Sequence, residues 1–216
     1  LMPEAHSFNP LTSEIILPDT QVSVGDLITV VMSVSNVGGA VSNSTNANAL
    51  VASGSGAVTL NTPAQPVDAT LAAVTGTQLF TYVYNATGAG SVRFNGNATG
   101  IDPIFGAVSS ASTNSQYVLI QSASVLNATI TAVPQQVSIG QYITVIMTVT
   151  NAGQANAVNC FGVTPAAQGS ASVSLLTSPD WATINGGEAR NFTWTFSAAS
   201  SGTVAFTTRA YGTDFN

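Results

Sequence analysis

The chain has 216 residues, 45% of them hydrophobic, yet only 6% are charged: nine acidic residues against three cations, Arg93, Arg190 and Arg209, and no lysine. With a net charge of −6 and its cations scattered, it offers no basic patch for a phosphate backbone or an anionic membrane surface. Its content of Val, Ile, Leu and Phe excludes a disordered chain, and no apolar run nears the roughly 18 residues of a spanning helix.

The first ten residues, LMPEAHSFNP, share no pattern with the rest of the chain. The chain opens at Leu1 without a cationic, apolar leader, so a signal peptide is expected to have been removed already. His6, the sole histidine, falls in this tail and reads as a solvent or interface residue rather than a base.

From Leu11 onward the chain is a duplication. QVSVGDLITVVMSVSNVGG begins at Gln21, and QVSIGQYITVIMTVTNAGQ begins 115 residues later at Gln136. FTYVYNATGAGSVRF from Phe80 returns as FTWTFSAASSGTVAF from Phe192, 112 residues on. In each copy the apolar residues alternate: Ile28, Val30, Met32 and Val34 match Ile143, Val145, Met147 and Val149. A period of two over eight residues is that of a half-buried strand. Phe80, Tyr82 and Tyr84 share one face of a later strand, matched by Phe192, Trp194 and Phe196, and then Val92 and Phe94 match Val204 and Phe206. Gly and Asn punctuate the intervals and no helical period emerges. At about 100 residues per sandwich, the expected fold is all-β, two tandem immunoglobulin-like β-sandwich domains with an N-terminal donor-strand tail. The expected boundaries are 1–10 for the tail, 11–121 for the first sandwich and 122–216 for the second.

The two copies end differently. After Asp102 the first continues through IDPIFGAVSSASTNSQYVLIQ, closing on the apolar segment Tyr117–Gln121, whereas only two residues come after Asp214. The second sandwich is therefore expected to lack its last strand, leaving an acceptor groove near Phe196, Val204 and Phe206. By the same register the N-terminal tail takes the place of a last strand belonging to a preceding domain. Leu1, Met2, Pro3, Glu4, Ala5, His6, Ser7 and Phe8 are thus the candidate donor strand, and Ser13–Leu17, SEIIL, is a more strand-like alternative. An unfinished sheet exposes unpaired backbone groups; an inserted strand satisfies them, and a head-to-tail contact that need not close builds a filament. If the strand covers roughly 400 Å² of apolar surface, the hydrophobic gain is about 10 kcal/mol before ordering costs. The expected partners are copies of the chain itself, with no cofactor.

The apolar strand ending in Asn-x-Gly, the F-T-W/Y segment and the subsequent S/A-x-G-T/S-V-x-F resemble the CARDB-type immunoglobulin-like repeats of prokaryotic surface proteins. That resemblance covers the chain after about Leu11 and implies a secreted, extracellular protein at the cell surface serving as spacer, adhesin stalk or filament subunit. The organisation and charge-poor composition also resemble those of archaeal thread-type pilus subunits, which implies glycosylated subunits joined by donated strands.

Sequons stand at Asn43, Asn85, Asn97, Asn127 and Asn191, the first three in or beside predicted turns, and are candidates for covalent glycans. No nucleophile elbow, His/Cys metal cluster or phosphate loop is present, so neither catalytic residues nor a metal are expected. Asp102 and Asp214 recur at matching places and read as turn residues, as do Asp19 and Asp26, with a calcium site at the latter pair as the alternative. Cys160, the only cysteine, reads as a small strand residue. Trp181 comes after Ser178-Pro179-Asp180; it reads as packing between strands, with sugar stacking as the alternative.

Overall fold

The computed structural model describes residues 11–216, and the candidate donor strand and His6 lie outside the described residues. These residues fall into two compact units, the first ending at Gln121 and the second running Ser122–Asn216. In the first, the strands are β1 (Leu11–Ile16), β2 (Gln21–Ser23), β3 (Leu27–Asn36), β4 (Ser42–Ala47), β5 (Val51–Gly54), β6 (Ala57–Gln65), β7 (Ala69–Leu71), β8 (Thr77–Gly88), β9 (Gly90–Gly96), β10 (Ala98–Asp102), β11 (Gly106–Ser109), β12 (Thr113–Asn114) and β13 (Val118–Gln121). In the second they are β14 (Leu126–Val133), β15 (Tyr142–Asn151), β16 (Ala157–Gly162), β17 (Ala166–Gly169), β18 (Val173–Thr177), β19 (Ala182–Ile184), β20 (Ala189–Ala198), β21 (Val204–Thr207) and β22 (Ala210–Asp214).

The alternation seen in the sequence becomes the two faces of each sheet. Ile28, Val30, Met32 and Val34 of β3 are all at most 1% exposed, and β8 buries Phe80, Tyr82 and Tyr84 beside them. In the second unit Val145, Met147 and Val149 of β15 pack with Phe192, Trp194 and Phe196 of β20. The long strands form a four-stranded antiparallel sheet in each unit, β1-β3-β8-β6 in the first and β14-β15-β20-β18 in the second. The remaining strands complete the core: β11-β10-β4-β7 and β12-β9-β13-β2 in the first unit, β19-β16-β22 and β17-β21 in the second. In the first unit the early strand β2 and the last strand β13 share one sheet, and in both units a second layer of strands faces the long-stranded sheet, the arrangement of an immunoglobulin-like sandwich. The fold is all-β.

A buried asparagine anchors the same corner in both units. Asn36 Nδ2 donates to the carbonyls of Ala40 and Leu71 while its Oδ1 accepts from Gly38 N–H. Asn151 repeats this with Ala155, Ile184 and Gly153, and also accepts from Val125 N–H. Glycine is compulsory at Gly54 and Gly169, with φ of 142° and 140°. A Cβ there would stand 2.0 Å from Ser91 O or 2.1 Å from Thr203 O.

The structure corrects the reading of SEIIL as a donor strand. Residues 13–16 are not available for donation: β1 pairs with β3 along its whole length, Leu11↔Asn36 to Ile16↔Val31, and Leu11 and Ile15 are buried. Strand propensity reports the readiness to pair, and here the partner is already in the same unit.

Candidate functional site

In the first unit β13 lies between β9 and β2, antiparallel to one and parallel to the other. Val118 stands opposite Val92 and Ile120 opposite Gly90 on one side, and Leu119–Gln121 run beside Gln21–Ser23 on the other. Val118 and Ile120 point inward, 0% and 1% exposed, and Leu119 points out. The backbone is tied in by Leu119 N–H to Thr20 O at 2.9 Å and Val24 N–H to Gln121 O at 2.7 Å. The preceding segment serves the same edge: the Ser115 hydroxyl accepts from Phe94 N–H and that of Ser110 from Ala98 N–H, both at 2.9 Å.

The corresponding place in the second unit is open. β21, the counterpart of β9, pairs with β17 alone, and residues 136–138, the counterpart of β2, form no strand. Between them runs a groove of about 780 Å³, walled by Pro134, Gln136 and Val137 on one side and Thr203, Val204 and Phe206 on the other. A second hollow of about 500 Å³ continues it past Ile139 and Ala171, sharing Val137, Ile143 and Val204. No ionisable side chain lines either hollow. An occupant would be held by backbone pairing and by side-chain fit to a mixed lining, in which Val137, Ile143, Val204 and Phe206 stand among Gln136, Ser138 and Thr203.

Burial tracks the missing segment. Val22, Val92, Phe94, Leu11, Ile15 and Ala98 are buried in the first unit, while Val137, Val204, Phe206, Leu126, Ile130 and Ala210 are only half-buried in the second. Of the three residues expected at the groove, Val204 and Phe206 line it. Phe196 is buried, its ring 5.0 Å from that of Phe206, as Tyr84 is 4.7 Å from Phe94 in the first unit.

The other singled-out residues have local roles. Asp26 Oδ2 accepts from Ser23 N–H at 2.7 Å, and its counterpart Gln141 accepts from Ser138 N–H at 2.8 Å. Asp102 accepts from Ile104 and Phe105 N–H, and Asp214 from Ser124 and Asn216 N–H. Cys160 is buried, and that burial pushes its thiol pKa up. Among the described residues no group of His, Cys, Asp or Glu could hold a metal ion, and no helix is long and apolar enough to cross a membrane. Of the sequons, Asn127 and Asn191 are exposed. Asn43, Asn85 and Asn97 are half-buried, and the last two accept hydrogen bonds from Asn61 and Asn48. Asn85 lies within β8 rather than in a turn.

The expected packing between strands is present, the Trp181 ring stacking on Phe161 and Phe161 in turn on Tyr211, two residues that the sequence did not single out, yet Trp181 stays 65% exposed. Comparing the copies position by position marks all three as departures from Asn46, Asp68 and Thr99 of the first unit, but not as neighbours of one another.

No protein-family model matches the chain, and no curated protein matches it. Among solved structures it is similar to the Escherichia coli adhesin FdeC, at 15% identity and a TM-score of 0.43, over 98% of this chain and 62% of that one. It is also similar to the secreted serine protease VesC from Vibrio cholerae, at 12% identity and a TM-score of 0.26, over 89% and 50% of the two chains. The C-terminal domain of the Streptococcus agalactiae AgI/II polypeptide BspA aligns at 9% identity and a TM-score of 0.26, over 95% and 98%. The chain thus spans less than two thirds of the length of the first two.

Proposed function

We propose that this chain is a non-catalytic structural protein of the cell exterior, and that copies join head-to-tail when residues 1–8 of one enter the groove of the next. The observation that carries the reading is the contrast at one strand position, filled by β13 in the first unit and open beside β21 in the second. The 115-residue register sets Pro3 and Ala5 at the inward places of Val118 and Ile120, and Glu4 at the outward place of Leu119. A carboxylate there stays in water. Proline at the first residue of a strand is tolerated. The exposed sequons Asn127 and Asn191 are the favoured glycan sites, with glycopeptide mass spectrometry as the check.

Two variants test the assembly. The chain lacking Leu1–Phe8 keeps its groove but has no donor, and Val204→Asp keeps its donor but sets a carboxylate in the groove. Each alone should fail to polymerise in negative-stain microscopy and light scattering, while a mixture of the two should give dimers and stop there. Polymerisation of the tail-less chain would overturn the proposal.

A second reading arises from β13 itself, which reaches its slot by continuing the same polypeptide after Asp102. A strand continuing after Asp214 in a longer polypeptide would fill the second groove in the same way, making the chain a spacer or adhesin module of a larger surface protein. In that case removing Leu1–Phe8 changes nothing and the mixture stays monomeric.

A further inference from the structure

Trp181, Phe161 and Tyr211 stand side by side on the outer face of the sheet β19-β16-β22. The Phe161 ring is 4.6 Å from Trp181 at 19° and 5.6 Å from Tyr211 at 27°, so three near-parallel rings form one row. Cross-strand aromatic pairs of this kind ordinarily serve the sheet, but two observations set this row apart. Trp181 leaves 65% of its surface in water and Tyr211 45%. And the first unit builds the same three strands without any aromatic residue there. The registers Thr45↔Ala69 and Cys160↔Ala182 make Asn46 and Asp68 the counterparts of Phe161 and Trp181. Those of Thr99↔Asn46 and Phe161↔Tyr211 make Thr99 the counterpart of Tyr211. There Thr99 Oγ1 donates to Asn46 Oδ1 at 2.9 Å, a polar pair in place of stacked rings. The sandwich therefore does not need the aromatics.

We propose that the Trp181–Phe161–Tyr211 row is a carbohydrate-binding site for neutral, uncharged hexose chains. The apolar C–H face of a pyranose stacks on an exposed indole, while its hydroxyls require donors and acceptors at the rim. The rim supplies them: the Tyr211 hydroxyl with the Arg209 guanidinium 3.4 Å away, and the exposed Asn159 and Thr213 on the two strands of the row. Charge selects the class. The one cation of the rim, Arg209, is offset by the exposed carboxylate of Asp180 next to Trp181, so a uronate or sialate gains no net attraction there and the aromatic face is left to a neutral sugar. This site is separate from the groove beside β21 and does not depend on strand exchange.

The test uses the full chain with maltohexaose, cellohexaose and mannohexaose as probes and a hyaluronan hexasaccharide as the acidic control, read by calorimetry and tryptophan emission. Trp194 is buried, so a sugar-induced change in emission reports Trp181. At least one neutral hexaose should bind in the millimolar range or tighter, with Trp181→Ala weakening it about tenfold or more and Trp181→Phe only about threefold. Tyr211→Ser, which alters the far end of the row, should also weaken binding, and unchanged Trp194 emission shows that each variant is folded. No binding of any neutral probe at about 10 mM, equal binding by Trp181→Ala, or preference for the acidic control would each overturn the proposal. So would a concentration-dependent dimer that Trp181→Ala abolishes, since the row would then serve a second copy of the chain.

Discussion

The two units carry the same apolar residues at the same registers, and they differ in how well those residues are covered. Val30 and Val145, Met32 and Met147, Phe80 and Phe192 are buried alike, in the sheet that does not contain the closing strand. Phe94 is 0% exposed where Phe206 is half-buried, and Val92 is 1% exposed where Val204 is half-buried. The difference is confined to the neighbourhood of β11–β13. An immunoglobulin-like sandwich can evidently keep its central sheet and its buried asparagine corner without the closing strand, and what it gives up is a row of backbone pairs and one apolar seam. The open unit is a sandwich with a slot of defined polarity.

The sharpest way to break this comparison is to truncate the same ring in both units. Phe94→Ala removes a fully buried phenyl group and should destabilise the first unit by about 3–5 kcal/mol. Phe206→Ala removes a ring that water already reaches, and should cost the second unit about half as much. Peptide-resolved hydrogen exchange in a urea series, on the chain lacking Leu1–Phe8 so that no donor fills the slot, reads the two units separately. A synthetic peptide spanning residues 116–122, the β13 segment, should raise the cost of Phe206→Ala toward that of Phe94→Ala. Equal costs without peptide would mean that the slot is not open in solution.

Alkaline pH gives a smaller contrast. In the first unit burial raises the pKa of Tyr82, with the neighbouring Tyr84 raising it further, and burial likewise raises that of Tyr84. Their counterparts, Trp194 and Phe196, do not titrate. A raised folded pKa means that the stabilisation is complete below the unfolded value near 10 and is lost as pH climbs toward the folded value. With two such groups the first unit should lose stability as pH rises above 10. In the second unit the buried Cys160 thiol is the one core group held up in this way, so a single group there loses its stabilisation as pH climbs past the ordinary thiol range. Urea midpoints measured across pH 9–12 should fall more steeply for the first unit. Parallel slopes would mean that the tyrosine hydroxyls are not held in a dry core.

Much of the fold was legible in the sequence because β-strands write their burial at a period of two and a duplication writes it twice. Ile28 to Val34, Phe80 to Tyr84 and the unmatched Tyr117–Gln121 could be read without a structure. What stayed hidden depends on which strands become neighbours. The Asn-x-Gly signature gave no hint that Asn36 reaches Leu71, 35 residues away. Trp181 could be noticed alone, but Phe161 and Tyr211 join it only through the pairing of β16 with β19 and β22. SEIIL looked free to be donated because propensity does not say that β3 already holds it.

The smallest expected effect concerns the wall of the slot. In both units a side chain closes the turn before the second long strand: Asp26 accepts from Ser23 N–H and Gln141 from Ser138 N–H. These capped residues end the segment that runs beside β13 in one unit and borders the groove in the other. In the first unit the wall is also held by β13 through the Val24–Gln121 hydrogen bond, so Asp26→Ala loses one charge-assisted bond at an exposed turn and should cost about 1 kcal/mol of stability. In the second unit, with no strand beside it, Gln141→Ala should cost only about 0.5 kcal/mol. The freed wall must then be ordered when a strand enters, so the affinity for the 116–122 peptide should fall by about twofold to threefold. Calorimetric titration of Gln141→Ala measures that loss. Unchanged affinity would mean that the wall is already rigid without its cap, and that β21 and the apolar seam alone define the slot.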